Sequence, residues 1–317
     1  MQAKIIKAMM AIAAIVLPSA TWAGPTLLFD ASDGSVLYAE DQDNQWHPAS
    51  LTKIMTAYVT FEAIKEGKLA LASKIGCSEL ANSQPPSKVG LPVGSEMTLE
   101  TALQALIVKS ANDVAVMLAE AVGGSHEAFV ERMNKTAARL GMTRTKFVNA
   151  NGLPATEQVT TARDLARLAT AVVRDFPDYA HLWSMVDMRL GKRRLRTHNG
   201  LLTKYEGADG LKTGFTCDSG FNLVASATRE GHRLIAVVLG EPTGRERTLR
   251  AASLLEHGFQ TQAWKSLFAT SSIETLPMAE DAKGAMTMRQ AVISFECGTR
   301  RRAVAKKRKG KGKAVAT

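Results

Sequence analysis

The alternation of apolar and polar positions divides the chain into a short β-rich opening, a long helical middle and a second β-rich stretch. Leu27 and Phe29 precede, and Val36, Leu37 and Tyr38 follow, the dipeptide Asp33-Gly34, a combination that marks a tight hairpin, so two strands should open the domain. From Pro48 the spacing changes. Ile54, Met55, Tyr58, Val59 and Phe61 recur at helical intervals until Gly67, which places Ser50 at a helix start. Residues 83–95 are rich in Ser, Pro, Gly and Lys and read as loop, whereas 98–108 and 113–122 read as helices that meet at Ser110. Helical spacing returns over 126–140 and 161–173, on either side of the turn-rich Asn149-Ala150-Asn151-Gly152-Leu153-Pro154. Strand patterns follow at 211–216, 221–228 and 234–239, the last two joined by a turn at Arg229-Glu230-Gly231-His232, and then an amphipathic helix from 246 to about 260. Strands from both ends enclosing a helical middle predict an α+β fold whose sheet is completed by sequence-distant segments.

Composition narrows the setting. With 317 residues, 45% hydrophobic and 22% charged, the chain can bury a full core. Residues 1–23 carry Lys4 and Lys7, an apolar run over 8–17 and the small-residue stretch before Ala23, the layout of a signal peptide cleaved after Ala23. The expectation is an exported, periplasmic protein, soluble or loosely associated with the inner membrane. Cys77, Cys217 and Cys297 are too few for a disulfide framework, and at least one thiol stays unpaired in a monomer. Cys217 is expected to be an inert thiol. The net charge of +10 sits mostly outside the body, because residues 300–313 hold nine Lys or Arg and no acid. Such a run is read first as a solvated, disordered tail, and second as a weak electrostatic contact with anionic envelope surfaces; nucleic acid is excluded as a partner. Residues 265–317 form a C-terminal extension that offers little to a core.

The chemistry lies in three motifs. In Ser50-Leu51-Thr52-Lys53 the i, i+3 spacing on a helix puts an amine beside a hydroxyl, and a lysine kept neutral by burial and a second cation can act as the serine's base. Ser110-Ala111-Asn112 stands at the helix junction, and Lys212-Thr213-Gly214 inside a strand. Together and in this order they are the signatures of serine acyl-enzymes that act on D-Ala-D-Ala peptides or β-lactams. Ser50 attacks, Lys53 takes its proton, Ser110 relays a proton to the leaving amine under the influence of Lys212, and Asn112 orients the substrate amide. The backbone N–H groups of Ser50 and Phe215 are the expected oxyanion donors. Gly214 lets the substrate backbone lie on the strand edge, and Lys212, Thr213 and Thr216 form a rim for a terminal carboxylate.

Beyond these motifs, the chain from about 27 to 264 resembles the low-molecular-mass penicillin-binding proteins, serine DD-carboxypeptidases with a β-lactamase-like fold. The resemblance extends over Pro48-Ala49 and Ile54-Met55-Thr56 around the nucleophile, Asn151-Gly152-Leu153, Thr161-Ala162-Arg163-Asp164-Leu165-Ala166, Asn199-Gly200-Leu201-Leu202 and Gly220-Phe221-Asn222-Leu223-Val224-Ala225. It implies an antiparallel sheet with helices on its faces, a mainly helical subdomain, and a catalytic domain over 24–264. It also implies removal of the terminal D-Ala from peptidoglycan pentapeptides and acylation by β-lactam antibiotics. Gly244-Arg245-Glu246 is similar to the family's carboxylate-binding arginine site, which makes Arg245 the expected partner of the substrate C-terminus. Phe215 stands where many carboxypeptidases of this family have His, as in some members with endopeptidase activity, so cleavage of crosslinks is the alternative. A non-catalytic wall- or β-lactam-binding protein is a further one, and the full set of reactive residues argues against it.

Other chemistries fare worse. Asp218-Ser219-Gly220 resembles a trypsin-like nucleophile segment but has no partnered histidine, and reads as a turn. The six histidines form no close metal-ligand pair, so neither metal nor organic cofactor is expected. Arg163 and Asp164 read as loop ties. Glu157 lacks the context of a deacylating base, which implies slow release of bound β-lactams.

Overall fold

The computed structural model describes residues 24–268, 271–292 and 297; residues 1–23, expected to be a signal peptide, and the basic run 300–313 lie outside them. The chain enters through strands β1 (Thr26–Asp30) and β2 (Val36–Glu40), and a short turn over Ala49–Leu51 then leads into helix α1 (Thr52–Lys65). Strand β3 (Lys74–Gly76), helix α2 (Glu79–Ser83), strand β4 (Glu96–Thr98) and helix α3 (Leu99–Gln104) precede the longer helices α4 (Asn112–Gly123), α5 (His126–Arg139) and α6 (Ala162–Asp175). After the short α7 (Ala180–Trp183) come the ribbon β5 (Asp187–Leu190) and β6 (Arg193–Arg196), and then strands β7 (Ala208–Thr216), β8 (Gly220–Arg229) and β9 (His232–Glu241). Helices α8 (Gly244–Phe268) and α9 (Arg289–Val292) complete the order.

The main sheet has the order β2-β1-β9-β8-β7 and is antiparallel throughout, so the N-terminal hairpin lies beside the last strand and β7 takes the far edge. This is the α+β, antiparallel arrangement expected from the sequence. Strand β9 is buried on both faces. Ile235, Val237 and Leu239 join the core shared with α1, α4 and α6, while Leu234, Ala236 and Val238 face the smaller core under Ala251 and Leu255 of α8. Gly258 permits the close approach of α8: a Cβ there would stand 2.6 Å from Leu234 Cδ1 and 3.0 Å from Leu28 Cδ2. Helix α1 is central to the helical subdomain, with Lys53, Thr56 and Thr60 buried alongside Ile54, Tyr58 and Phe61. It is therefore enclosed on all sides rather than amphipathic, and its threonines bond to carbonyls, Thr56 to Ala150 and Thr60 to Thr56.

Several expectations shift. The helix predicted over 98–108 is broken into β4, α3 and a π-helical turn at Ala105–Lys109, which widens the coil and ends on Ser110 in the left-handed conformation at φ +57°. The ribbon β5–β6 escaped the hydrophobic pattern because arginines occupy much of it. The C-terminal extension was expected to add little to a core, yet Ile273, Met288 and Val292 are buried in the larger one, and α8 runs past 264 to Phe268. A buried ion pair explains how the extension is held. Arg163 makes two bonds to Asp43, at 2.6 and 2.8 Å, and donates to the carbonyls of Ile273, Leu276 and Pro277. Arg163 and Asp164, which accepts from Arg144 N–H and Thr145, are thus ties, as the sequence implied. Among the described residues no helix is long and apolar enough to cross a membrane.

Because Arg163 and Asp43 are 2% and 1% exposed, Arg163→Ala strands a carboxylate without water. It should lower unfolding stability by about 3–5 kcal/mol in urea titrations followed by circular dichroism; a loss below about 1 kcal/mol would show the tie to be dispensable.

Candidate active site

The site is assembled around the amine of Lys53. Ser50 lies in the turn before α1 and Lys53 in its first turn, so Nζ stands 3.0 Å from Ser50 Oγ. Two further contacts fix the amine: Asn112 Oδ1 at 2.8 Å, and the carbonyl of Asn151. Both are acceptors. The Asn112 amide is oriented because its Nδ2 donates to Pro85 O at 2.9 Å, which turns Oδ1 to the lysine. A neutral amine that donates its two protons to these acceptors has its lone pair left for the proton on Ser50 Oγ. Lys53 is fully buried, and desolvation, with the charge of Lys212 adding to it and Asp113 opposing, holds its pKa well below the ordinary lysine value.

Backbone geometry brings the other groups in. Ser110, left-handed at the end of the π-helical turn, points its hydroxyl at Lys212, whose Nζ donates to Ser110 Oγ at 2.9 Å and to Thr213 O at 3.0 Å. Burial and the nearby Arg247 lower the pKa of Lys212 to about 7. Gly214 serves the approach of two protein segments: a Cβ there would lie 2.9 Å from Pro48 O and 3.1 Å from Ser50 N, so its absence lets β7 close on the turn that carries Ser50. Gly152, at φ +81°, does the same on the other flank, where a Cβ would fall 1.9 Å from Ala49 O. Asp113, wholly buried beneath the site, is satisfied by the N–H groups of Val89, Gly90 and Val114.

A cleft of about 410 Å³ opens over Ser50, Ser110, Asn112, Thr213, Phe215 and Arg247. Among the described residues the outer edge of β7, which borders it, pairs with no strand. Phe215 is 38% exposed and stacks on Phe221 with ring centroids 4.1 Å apart. The Thr216 hydroxyl is engaged by Ser219, 3.0 Å away, within the turn that the sequence implied for Asp218-Ser219-Gly220.

The arginine assignment needs correction. Arg245 lies exposed at the start of α8 and does not line the cleft, whereas Arg247 does, 6% exposed, with Nη2 donating to His198 O at 3.2 Å and Nε unbonded. Burial lowers its pKa to about 10. The helical period carried the signal: 247, 251, 255 and 258 form the face of α8 turned to the sheet, and 245 and 249 the opposite one. Cys217 is likewise not a free thiol, because it is bonded to Cys297, and Cys77 is buried and unpaired. Glu157 is exposed and paired with Lys146. Among the described residues no group of His, Cys, Asp or Glu could hold a metal ion.

The chain is similar to known proteins over most of its length. Residues 12–243 match the model of a peptidase family described as D-alanyl-D-alanine carboxypeptidase. A D-alanyl-D-alanine carboxypeptidase of Haemophilus influenzae is 36% identical over 264 residues, which cover 81% of this chain and 67% of that protein. The crystal structure of penicillin-binding protein 5 from Haemophilus influenzae superposes with a TM-score of 0.73 at 37% identity, covering 77% of this chain and 73% of the other. Penicillin-binding protein D2 from Listeria monocytogenes, in its cefotaxime-bound form, gives 0.69 at 31% identity, covering 75% and 97%. Against the curated relatives the chain spans 67% of the first protein's length and 60% of the second's.

The influence of Arg247 on Lys212 can be measured directly. In lysine-selective NMR the Lys212 amine should titrate near pH 7, and Arg247→Gln should move it upward, because a neighbouring cation that favours the neutral amine is gone. An unchanged midpoint would remove Arg247 from the electrostatics of the site.

Proposed function

The chain belongs to the D-alanyl-D-alanine carboxypeptidase family, and we propose that it removes the terminal D-Ala of peptidoglycan pentapeptides through an acyl-enzyme on Ser50. The observation that carries this reading is the placement of the Lys53 amine between Ser50 Oγ and two acceptors that occupy its protons. Ser50 Oγ attacks the penultimate D-Ala carbonyl as its proton passes to Lys53 Nζ. The oxyanion is received by the N–H groups of Ser50 and Phe215. The C–N bond then breaks while Ser110, bonded to Lys212, delivers a proton to the departing D-Ala nitrogen; water attacks the ester and regenerates Ser50.

Substrate binding follows from the cleft. The peptide extends along the open edge of β7, its amide held by Asn112 and its terminal carboxylate received by Thr213 and Arg247. Arg247 replaces Arg245 in this role. Lys212 and Thr216 complete the polar rim. Lys212 and Arg247 give the site a positive field suited to the carboxylate and the developing oxyanion. β-Lactams acylate the same serine and leave slowly. Residues 24–264 form the catalytic domain with the docked extension as its support, and the segment 1–23 directs export to the periplasm. Basic residues 300–313 supply a weak contact with anionic envelope surfaces.

Incubation with a penicillin, followed by intact-mass spectrometry, should give an adduct on the protein that is absent from Ser50→Ala, and a D-Ala-D-Ala pentapeptide should release D-Ala only with the unsubstituted enzyme. An adduct with release solely from crosslinked dimers would favour the endopeptidase alternative. An adduct without turnover of either would favour a binding role. The kcat/KM profile should rise with pH, because the reactive form is neutral Lys53, and the midpoint of that limb should lie well below the ordinary lysine value. A rate that is flat across the same range would exclude lysine as the base.

A further inference from the structure

We propose, building on the acyl-enzyme reading, that residues 283–289 of the C-terminal extension, fastened by the Cys217–Cys297 bond, are a positioning strap that sets the spacing of the two oxyanion donors, the N–H groups of Ser50 and Phe215. The two donors come from separate segments. Ser50 follows the stretch that runs from Asn44 to Ala49, whereas Phe215 lies near the end of β7, just before the turn at Cys217 and Asp218. Among the described residues β7 is an edge strand paired with β8 alone, so the place of its last residues depends on what holds that turn.

The strap touches both segments. At one end Gln45 N–H donates to Lys283 O at 2.9 Å, and Lys283 N–H donates to Asn44 Oδ1 at 2.7 Å. At the other, Met288 N–H donates to Asp218 O at 2.8 Å, the Thr287 hydroxyl donates to Asp218 Oδ1 at 3.1 Å, and Arg289 makes two bonds to the same carboxylate, at 2.9 and 2.8 Å. Arg289 is exposed, so this ion pair adds little to stability; its two-bond geometry fixes a direction. Beyond it, Met288 and Val292 are buried in the larger core and Cys297 is bonded to Cys217, which anchors the strap past its contact with the turn. Other bonds join the two segments directly: Trp46 Nε1 donates to Ser219 O at 2.9 Å, and Asn222 Nδ2 to the His47 and Pro48 carbonyls at 3.0 and 3.2 Å. The strap closes the same gap from the exposed side, where Lys283, Thr287 and Arg289 lie, so its release loosens the pair of donors without dismantling the site. Oxyanion donors act through placement, and the signature of a loosened pair is a slower acyl step in a protein that still folds and binds.

Penicillin acylation resolved in time by intact-mass spectrometry separates the binding constant from the first-order acylation rate constant. Counting only the enzyme that becomes acylated removes unfolded protein from the rate. Cys217→Ser combined with Cys297→Ser should lower the acylation rate constant about tenfold, and Arg289→Leu about threefold, with the binding constant changed less than about twofold. Arg289→Lys, which keeps the charge but not the two-bond geometry, should fall between Arg289→Leu and the unsubstituted enzyme. In the unsubstituted enzyme, dithiothreitol opens the Cys217–Cys297 bond to two thiols as the reagent closes to its own disulfide; the rate constant should drop as in the serine variant and return on reoxidation. Acylation rate constants within about twofold of the unsubstituted enzyme in both the serine variant and Arg289→Leu, or a change confined to the binding constant or to the acylable fraction, would overturn the strap and leave the acyl-enzyme reading standing. Absence of any adduct on the folded, oxidised enzyme would overturn the two together.

Discussion

A primary amine shut away from water is the constraint around which this protein is organised. Lys53 has no solvent to share its charge, so the surroundings must favour its neutral form and accept its protons. That requirement reaches across the fold. One acceptor comes from Asn112, delivered by the junction before α4, and the other from the Asn151 carbonyl, in a loop that fits against the Ser50 turn only because Gly152 has no side chain. The second cation arrives from the opposite side, on β7. Helical subdomain and loop thus meet at one nitrogen, the sheet edge acts on it through charge, and displacement of any one of them alters its basicity.

The backbone carries part of the cost. Ala49, next to Ser50, and Ser110, in the same cleft, are both non-glycine residues with positive φ, +50° and +57°. Such conformations cost on the order of 1 kcal/mol each and persist where the surroundings over-determine them. Here the surroundings are a core that includes Leu51, Ile54, Val108, Ala111 and Val114, so the packing of apolar side chains holds two strained turns at hydrogen-bonding distance from their lysines.

Much of this was legible in the sequence, for a physical reason. Motifs whose chemistry needs local spacing, such as Ser50 with Lys53, are written within one turn of helix, and strands such as 221–228 and 234–239 declare themselves through runs of buried branched residues. What depends on contacts between distant segments was not. Arg245 was preferred to Arg247 because local similarity does not say which face of a helix is covered, although the stripe 247, 251, 255 did. The extension looked coreless because Ile273, Met288 and Val292 are too sparse to form a pattern and are buried by a body made elsewhere in the chain. The π-helical turn at Ala105–Lys109 differs from an α-helix by one residue of register, which no apolar period of this length resolves.

The Cys217–Cys297 bond has a consequence for how the chain is closed. It joins residues 80 apart, and the enclosed stretch contains β8, β9 and α8, the pieces that complete the sheet and cover its outer face. In the chain-entropy view, such a ring removes about 4–5 kcal/mol of disorder from the unfolded ensemble. Thiols kept reduced do not form it. The same polypeptide is therefore an open string on the reducing side of a membrane and a loop on the oxidising side, so its resistance to unfolding is set in part by the compartment and not by the amino-acid sequence alone.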